Sequence, residues 1–419
     1  MDLLRLATAG SVDDGKSTLI GRLLYDAKAI LADQLAHVEE VSRRRGSDVP
    51  DLALLTDGLR AEREQGITID VAYRYFATPS RKFILADTPG HVQYTRNMVT
   101  GASTADLAIV LVDARHGVVE QTRRHAFLAG LLGIRQLVLA VNKMDLAAWS
   151  EATYAAIVRD FAGVTARLPV HDVVAIPMSA LLGDNVVERS AQMPWYDGPA
   201  LLEHLEEVEV AADAALDGAR FPVQYVIRDP RTDYRGYAGQ VAGGVLRVGD
   251  EVTVRPGGRT TTVAAIDIFA GELEAAQAGQ SVTVRLADDV DVARGDLLVV
   301  GPPPVVSREL EAEVCWMAEA PLRVGGRYAL KHTTSTVRAL VDDVSDRVDV
   351  RTLGRIPGPA AELTLNDIGR VRLRVSRELA VDPYAVNRAT GAFILVDEAS
   401  NETVGAGMVL ASKPMGSRR

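Results

Sequence analysis

The chain carries one cysteine, Cys315, in 419 residues. A lone thiol cannot close an intrachain disulfide, and no zinc-ligand spacing is present, so a disulfide-stapled scaffold and a zinc-folded module are both excluded. Cys315 is expected to be a small buried apolar side chain, and the composition suits a reducing cytoplasm. No apolar run approaches the roughly 20 residues of a membrane helix, so no membrane partner is expected. The stretch Met1–Leu6 ahead of the first motif is too short for a signal peptide. An excess of positive charge is also missing: 46 Lys and Arg face 56 Asp and Glu, a formal net charge of −10. Proteins that hold nucleic acid usually show the opposite balance, which argues against RNA or DNA as the main ligand. Lysine is scarce, limited to Lys16, Lys28, Lys82, Lys143, Lys331 and Lys413. Two of these fall inside the motifs described next.

At roughly 100–200 residues per domain, the length suggests two to four domains. From Leu3 to about Glu209, short apolar runs (Leu3–Ala9, Lys82–Ala86, Leu107–Val112, Gln136–Val141, Asp172–Ile176) alternate with helical-period segments such as Lys16–Leu31 and Thr122–Leu132. This alternation predicts an α/β domain with a mostly parallel sheet flanked by helices, whose ligand lies beyond the carboxyl ends of the strands. A small-residue connector over 210–220 follows. The segments Val223–Ile227, Gly239–Val241, Glu251–Val254, Thr261–Ala265 and Val282–Leu286 are short, β-rich and punctuated by glycine turns, which reads as a barrel or a sandwich over 221–303. After Pro302-Pro303-Pro304 a second β-rich stretch runs over 304–411, including Gly369–Val375 and Ala392–Asp397, and residues 412–419 read as a tail.

Gly10-Ser11-Val12-Asp13-Asp14-Gly15-Lys16-Ser17-Thr18 matches GxxxxGK[ST] between a strand and a helix. Such a P-loop turns several N–H groups towards one anion, and the helix N-terminus adds positive potential. The Lys16 ammonium is expected to reach the β and γ phosphates, and the Ser17 hydroxyl to ligate Mg²⁺. Asp87-Thr88-Pro89-Gly90-His91 ends the Lys82–Ala86 run. Asp87 there suits a water-mediated hold on Mg²⁺, and Gly90 can offer its N–H to the γ phosphate. His91 is placed to position the attacking water. In Gly66-Ile67-Thr68-Ile69-Asp70, the Thr68 hydroxyl can complete the Mg²⁺ shell, although an edge strand beginning at Gly66 accounts for the same residues. Asn142-Lys143-Met144-Asp145 ends the next core strand. The Asp145 carboxylate can accept from guanine N1–H and the 2-amino group, a donor pair that adenine lacks, and a buried polar site rejects a base that leaves it unpaired. The plain alternative for Asp145 is a helix N-cap. Lys143 can lie along the base, and Asn142 can hold its edge and brace the P-loop. Ser179-Ala180-Leu181 follows the Asp172–Ile176 run and can offer backbone N–H to guanine O6. Arg370, Arg372 and Arg374 alternate on one strand face, either as a solvated surface or as a partner contact.

In order and spacing, GSVDDGKST, GITID, DTPGH, NKMD and SAL resemble the translation-factor class of GTPases. Within that class the chain most resembles the GTPase subunits of bacterial sulfate adenylyltransferase. The likeness is carried by Pro50–Phe76, Lys82–Thr104, Gly133–Leu146, Phe221–Val241 and Arg294–Leu298, and by Asp14, where elongation factors usually have His. The resemblance implies a GTP-binding domain followed by two β-barrel domains. It also implies GTP and Mg²⁺ as cofactors, and a separate ATP-binding catalytic subunit as partner. GTP hydrolysis would drive ATP and sulfate to adenylyl sulfate and diphosphate in the cytoplasm. No second P-loop frame surrounds Lys331 or Lys413, so adenylyl transfer is expected on that partner. An elongation-factor-like carrier of aminoacyl-tRNA is the competing reading, because the Asp26–Gly66 insertion also resembles the archaeal and eukaryotic elongation factors.

Overall fold

The computed structural model describes residues 2–28, 36, 38, 40–43, 50, 52–55, 70–90, 95–209, 217–229, 231–232, 234–349, 352–357 and 362–411. It divides into two compact units, Met1–Val210 with Asp349–Gly354, and Ala211–Val348 with Arg355–Arg419.

In the first unit, strands β1 (Asp2–Ala9), β2 (Ala72–Ala77), β3 (Arg81–Asp87), β4 (Leu107–Asp113), β5 (Gln136–Asn142) and β6 (Asp172–Pro177) form a sheet in the order β2-β3-β1-β4-β5-β6. All its pairings are parallel except β2 against β3. The sequence dictates this arrangement plainly in β4, where LAIVLVD is buried at every position, as a strand covered on both faces must be. Each fully buried Leu, Ile or Val there contributes about 1.5–3 kcal/mol. Helix α1 (Lys16–Asp26) follows β1, while the helices Glu120–Leu131 and Glu151–Thr165 follow β4 and β5. Because β1 lies between β3 and β4, the order reverses at its carboxyl end, the position where open parallel sheets bind ligands.

The helix expected over Lys16–Leu31 is shorter. Ala27 and Lys28 donate their N–H groups to Leu23 and Tyr25, and Lys28 adopts φ 54°, a left-handed turn that cannot continue an α-helix. Residues 29–31 lie outside the described ones. Strand β2 was not anticipated. It is an edge strand with aromatic side chains on both faces, Tyr73 and Tyr75 exposed and Phe76 buried, so hydropathy does not mark its buried face.

The second unit holds two closed β-barrels, completing the expected architecture of a nucleotide-binding α/β domain followed by barrels. In the first barrel, Ala219–Asp229 pairs with Leu297–Val300 on one side and Tyr234–Gln240 on the other, closing a ring of six strands. Its core includes Phe221, Tyr237, Val252 and Ile266. In the second, Arg327–His332 closes the ring by pairing with Ser335–Asp349, around Trp316, Leu330, Leu373 and Phe393. Closure removes the exposed strand edges that would otherwise recruit other chains. Cys315 is buried in this barrel, as expected. The strand starting at Ala219 begins inside the stretch read as a connector.

A buried ion pair holds the barrels to each other. Arg220 donates to both carboxylate oxygens of Asp382 at 2.9 and 3.1 Å, and to the Pro302 carbonyl at 2.7 Å. Thr390 donates its hydroxyl to the same carboxylate at 2.6 Å. Removing one partner of such a pair typically costs about 3–5 kcal/mol, because the other charge stays buried. The alternating Arg370, Arg372 and Arg374 are met by Glu311, Asp343 and Asp342 at 3.6, 3.5 and 2.7 Å, the pairing of a solvated face.

Candidate nucleotide-binding site

The P-loop turns through two left-handed residues, Asp13 at φ 71° and Gly15 at φ 94°. Gly15 is obligatory, because a Cβ there would stand 2.5 Å from the Asn142 side-chain nitrogen. The loop is pinned from inside by Asp14, whose buried carboxylate accepts the Ser11 N–H at 2.5 Å. Burial raises the pKa of Asp14, while that bond and the Lys16 charge pull it back. Lys16 opens α1 and is itself buried, with its ammonium donating to the Gly10 and Ser11 carbonyls at 2.8 and 3.0 Å. Burial lowers its pKa, and Asp87, Asp14 and Asp13 raise it. Val12 is exposed on the loop, and Ser17 and Thr18 lie half-buried at the start of α1.

Asp87 leaves the end of β3 beside Thr8, which donates to it at 3.4 Å, and Thr88 donates to the Thr8 carbonyl at 2.5 Å. Pro89 and Gly90 are buried. Gly90 packs so closely on the P-loop that a Cβ would meet the Gly10 oxygen at 2.4 Å and the Lys16 ammonium at 2.5 Å. Thr68 and His91 lie outside the described residues.

From β5, Asn142 reaches in two directions. It donates to the Asp14 carbonyl at 2.8 Å and accepts the Ala180 N–H at 2.9 Å. One side chain thus joins three loops from distant parts of the sequence. Lys143, left-handed at φ 62°, donates to the Asp13 carbonyl and lies 3.1 Å from the Asp113 carboxylate. Met144 is fully buried, and its N–H bonds the Met178 carbonyl at 3.1 Å. Asp145 is half-buried in a short 3-10 turn. It is not the cap of the following helix, since Ser150 takes that role by accepting from the Thr153 N–H. Ser179 is buried, with Ala180 beside it and Leu181 exposed.

The first half of the chain, residues 1–212, matches the model of the elongation factor Tu GTP binding domain. Residues 309–410 match the GTP-eEF1A C-terminal domain-like family. A "Bifunctional enzyme CysN/CysC" of Mycobacterium tuberculosis is 61% identical over 97% of this chain and 67% of its own length. "Sulfate adenylyltransferase subunit 1" of Laribacter hongkongensis is 53% identical over 99% of this chain and 86% of its own. The chain belongs to the sulfate adenylyltransferase subunit 1 family. Among solved structures, sup35 with GDP aligns at 25% identity over 98% of this chain and 94% of that one, with a TM-score of 0.45.

Within this family frame, several residues that sequence reading passed over contact the motif loops. Asp113 ends β4 as Asp87 ends β3 and Asn142 ends β5, so its place at the carboxyl edge of the sheet was a usable signal. Burial alone would raise its pKa, but hydrogen bonds from Arg115 and Lys143 outweigh this and hold the carboxyl well below its ordinary range. Gln121 donates to the Gly90 carbonyl at 2.9 Å and lies 3.1 Å from the Nε2 of His125, one helical turn further on. His125 is buried and its pKa is pushed down to about 3, first by burial and then by the nearby Lys16 and Arg124 charges. Among the described residues no helix is long and apolar enough to cross a membrane.

Proposed function

We propose that this chain binds GTP with Mg²⁺ and hydrolyses it as the energy-coupling subunit of a cytoplasmic sulfate adenylyltransferase. A separate ATP-binding subunit would form adenylyl sulfate and diphosphate. In this reading the nucleotide domain spans 1–209, a linker 210–220, and the barrels 221–303 and 304–411. The observation that carries it is the bridge through Asn142. A guanine-reading segment (Asn142, Lys143, Met144, Asp145) and a phosphate-gripping loop (Gly10–Thr18) are tied together with Ser179–Leu181 into one cleft.

Each residue then has a chemical task. The P-loop N–H groups and Lys16 hold the triphosphate, with Lys16 exchanging its loop carbonyls for phosphate oxygens. Asp145 accepts from the base, and the 179–181 backbone donates to its 6-oxygen. The hydroxyls of Ser17 and Thr68, with Asp87 acting through water, suit a hard cation, which usually keeps one or two protein ligands beside waters and the substrate phosphates. When bound, Mg²⁺ supplies neutralisation of charge on the transferring phosphate. Gly90 offers its N–H to the γ phosphate, and His91 positions the attacking water. We further propose that the partner orders the Thr68 and His91 segments once ATP and sulfate are engaged, so that hydrolysis is spent only on productive complexes.

The test is co-expression with the catalytic partner, followed by measurement of sulfate-dependent diphosphate release with and without GTP. Stimulation by GTP, together with a GTPase rate that rises when partner, ATP and sulfate are all present, supports the reading. A chain that hydrolyses GTP at full speed alone contradicts the coupling.

A further inference from the structure

Arg22 lies on α1, six residues after Lys16, in no motif. Its side chain is largely buried, and its fork is fully engaged. Nε donates to the Ala180 carbonyl at 3.3 Å and Nη2 to the Leu181 carbonyl at 2.6 Å, while Nη1 lies 3.7 Å from Asp26. The guanidinium also lies 5.7 Å from the centre of the Tyr25 ring, and it packs against Gly183, where a Cβ would sit 3.8 Å away. The P-loop helix therefore grips consecutive carbonyls of the 179–182 loop across 158 and 159 residues of sequence.

Peptide geometry says what this grip does. In a planar trans peptide the C=O of one residue points opposite to the N–H of the next. Fixing the Ala180 carbonyl fixes the direction of the Leu181 N–H, and fixing the Leu181 carbonyl fixes that of the Leu182 N–H. Leu182 uses its N–H on the Ser179 hydroxyl at 3.3 Å, and Ala180 spends its own on Asn142. The Leu181 N–H has no acceptor among the described residues, and its residue is exposed. It is the donor of this loop left for a ligand. A planar fork presents its donors in a fixed relative geometry, which suits it to locking two peptide planes at once, whereas a lysine ammonium rotates freely on its stem.

We infer that Arg22 is a positioning residue for base selection: it aims the Leu181 N–H at the 6-oxygen of guanine and references that donor to the helix that begins with Lys16. This deepens the proposed GTP-binding role and rests on it. The prediction is selective. Losing Arg22 should weaken recognition of a 6-oxo purine without affecting contacts to the 2-amino group, the ribose or the phosphates.

The test titrates the full chain, in magnesium, with GTP, ATP and 2-aminopurine riboside triphosphate, which keeps the 2-amino group and lacks the 6-oxygen and, with it, the N1–H. For Arg22→Ala, GTP should bind about tenfold more weakly, the loss of one aimed hydrogen bond. Affinity for the 2-aminopurine nucleotide should stay within about twofold of the parent chain. Arg22→Lys should recover part of the GTP affinity, and it serves as the readout if the alanine variant does not fold. Equal weakening of both nucleotides would show a merely structural role and overturn the inference, as would unchanged GTP binding. An unmodified chain that fails to prefer GTP over ATP would instead overturn the base-site reading itself.

Discussion

The two ends of the cleft are built differently. At the base end, side chains from other elements hold each loop: Asn142 holds Asp14 and Ala180, Asp113 holds Lys143, and Arg22 holds Ala180 and Leu181. At the phosphate end, the Lys16 ammonium rests on carbonyls of its own loop, and Gly90 packs against both. In the proposed reading, recognition of the base is thus prearranged before ligand arrives. The phosphate end is where partners must be exchanged. A nucleotide switch needs this asymmetry, because the base is common to triphosphate and diphosphate forms and only the γ phosphate distinguishes them.

Breaking the phosphate end should have larger effects than loosening the side chains that support the base end. Lys16→Ala removes the cation and leaves two carbonyls unpaired; GTP affinity should fall by about a hundredfold to ten-thousandfold in calorimetric titration. Gly90→Ala places a methyl group against the Gly10 oxygen and the Lys16 ammonium. GTP hydrolysis in the presence of partner should fall by about a hundredfold, as when one transition-state donor is lost, with GDP affinity nearly kept. At the base end, Asp113→Asn removes the charge facing Lys143 and should weaken GTP and GDP alike by about five- to tenfold. Equal loss for both nucleotides marks a contact that does not sense the γ phosphate.

The smallest effect concerns His125, the neighbour of the Gln121 that bonds the Gly90 carbonyl. Its pKa is about 3 when folded and ordinarily 6.5. Between those values the unfolded chain binds a proton that the folded chain does not, so this group makes stability fall as pH drops from about 6.5 towards 3. Thermal melting of a His125→Gln variant should show a shallower acid-side decline than the parent chain. An identical pH slope would contradict the assignment of a neutral, buried imidazole.

Much of the first unit could be read from sequence because its signals are local. The β4 run LAIVLVD is apolar up to its closing Asp113 and buried throughout, and Gly15 of the P-loop stands where left-handed backbone is required. Asn142 was expected to brace the P-loop, and it does. Arg22, Gln121 and His125 escaped notice for one shared reason. Each acts through a tertiary contact whose partner is 31 or more residues away, or through a neighbour that makes one. Helical periodicity marks such positions only as surface or core. The inter-barrel pair Arg220–Asp382, separated by 162 residues, was invisible for the same reason. The short run of α1 was missed because nothing in its composition announces the left-handed turn at Lys28.

The central claim is that one carboxylate selects the purine. Isothermal titration of the full chain and of Asp145→Ala with GTP and ATP in magnesium tests it directly. The account predicts a strong preference for GTP in the parent chain and loss of most of that preference, on the order of a hundredfold for two hydrogen bonds to a charged acceptor, in the variant. An unchanged preference for GTP in Asp145→Ala, or an initial preference for ATP, would contradict it.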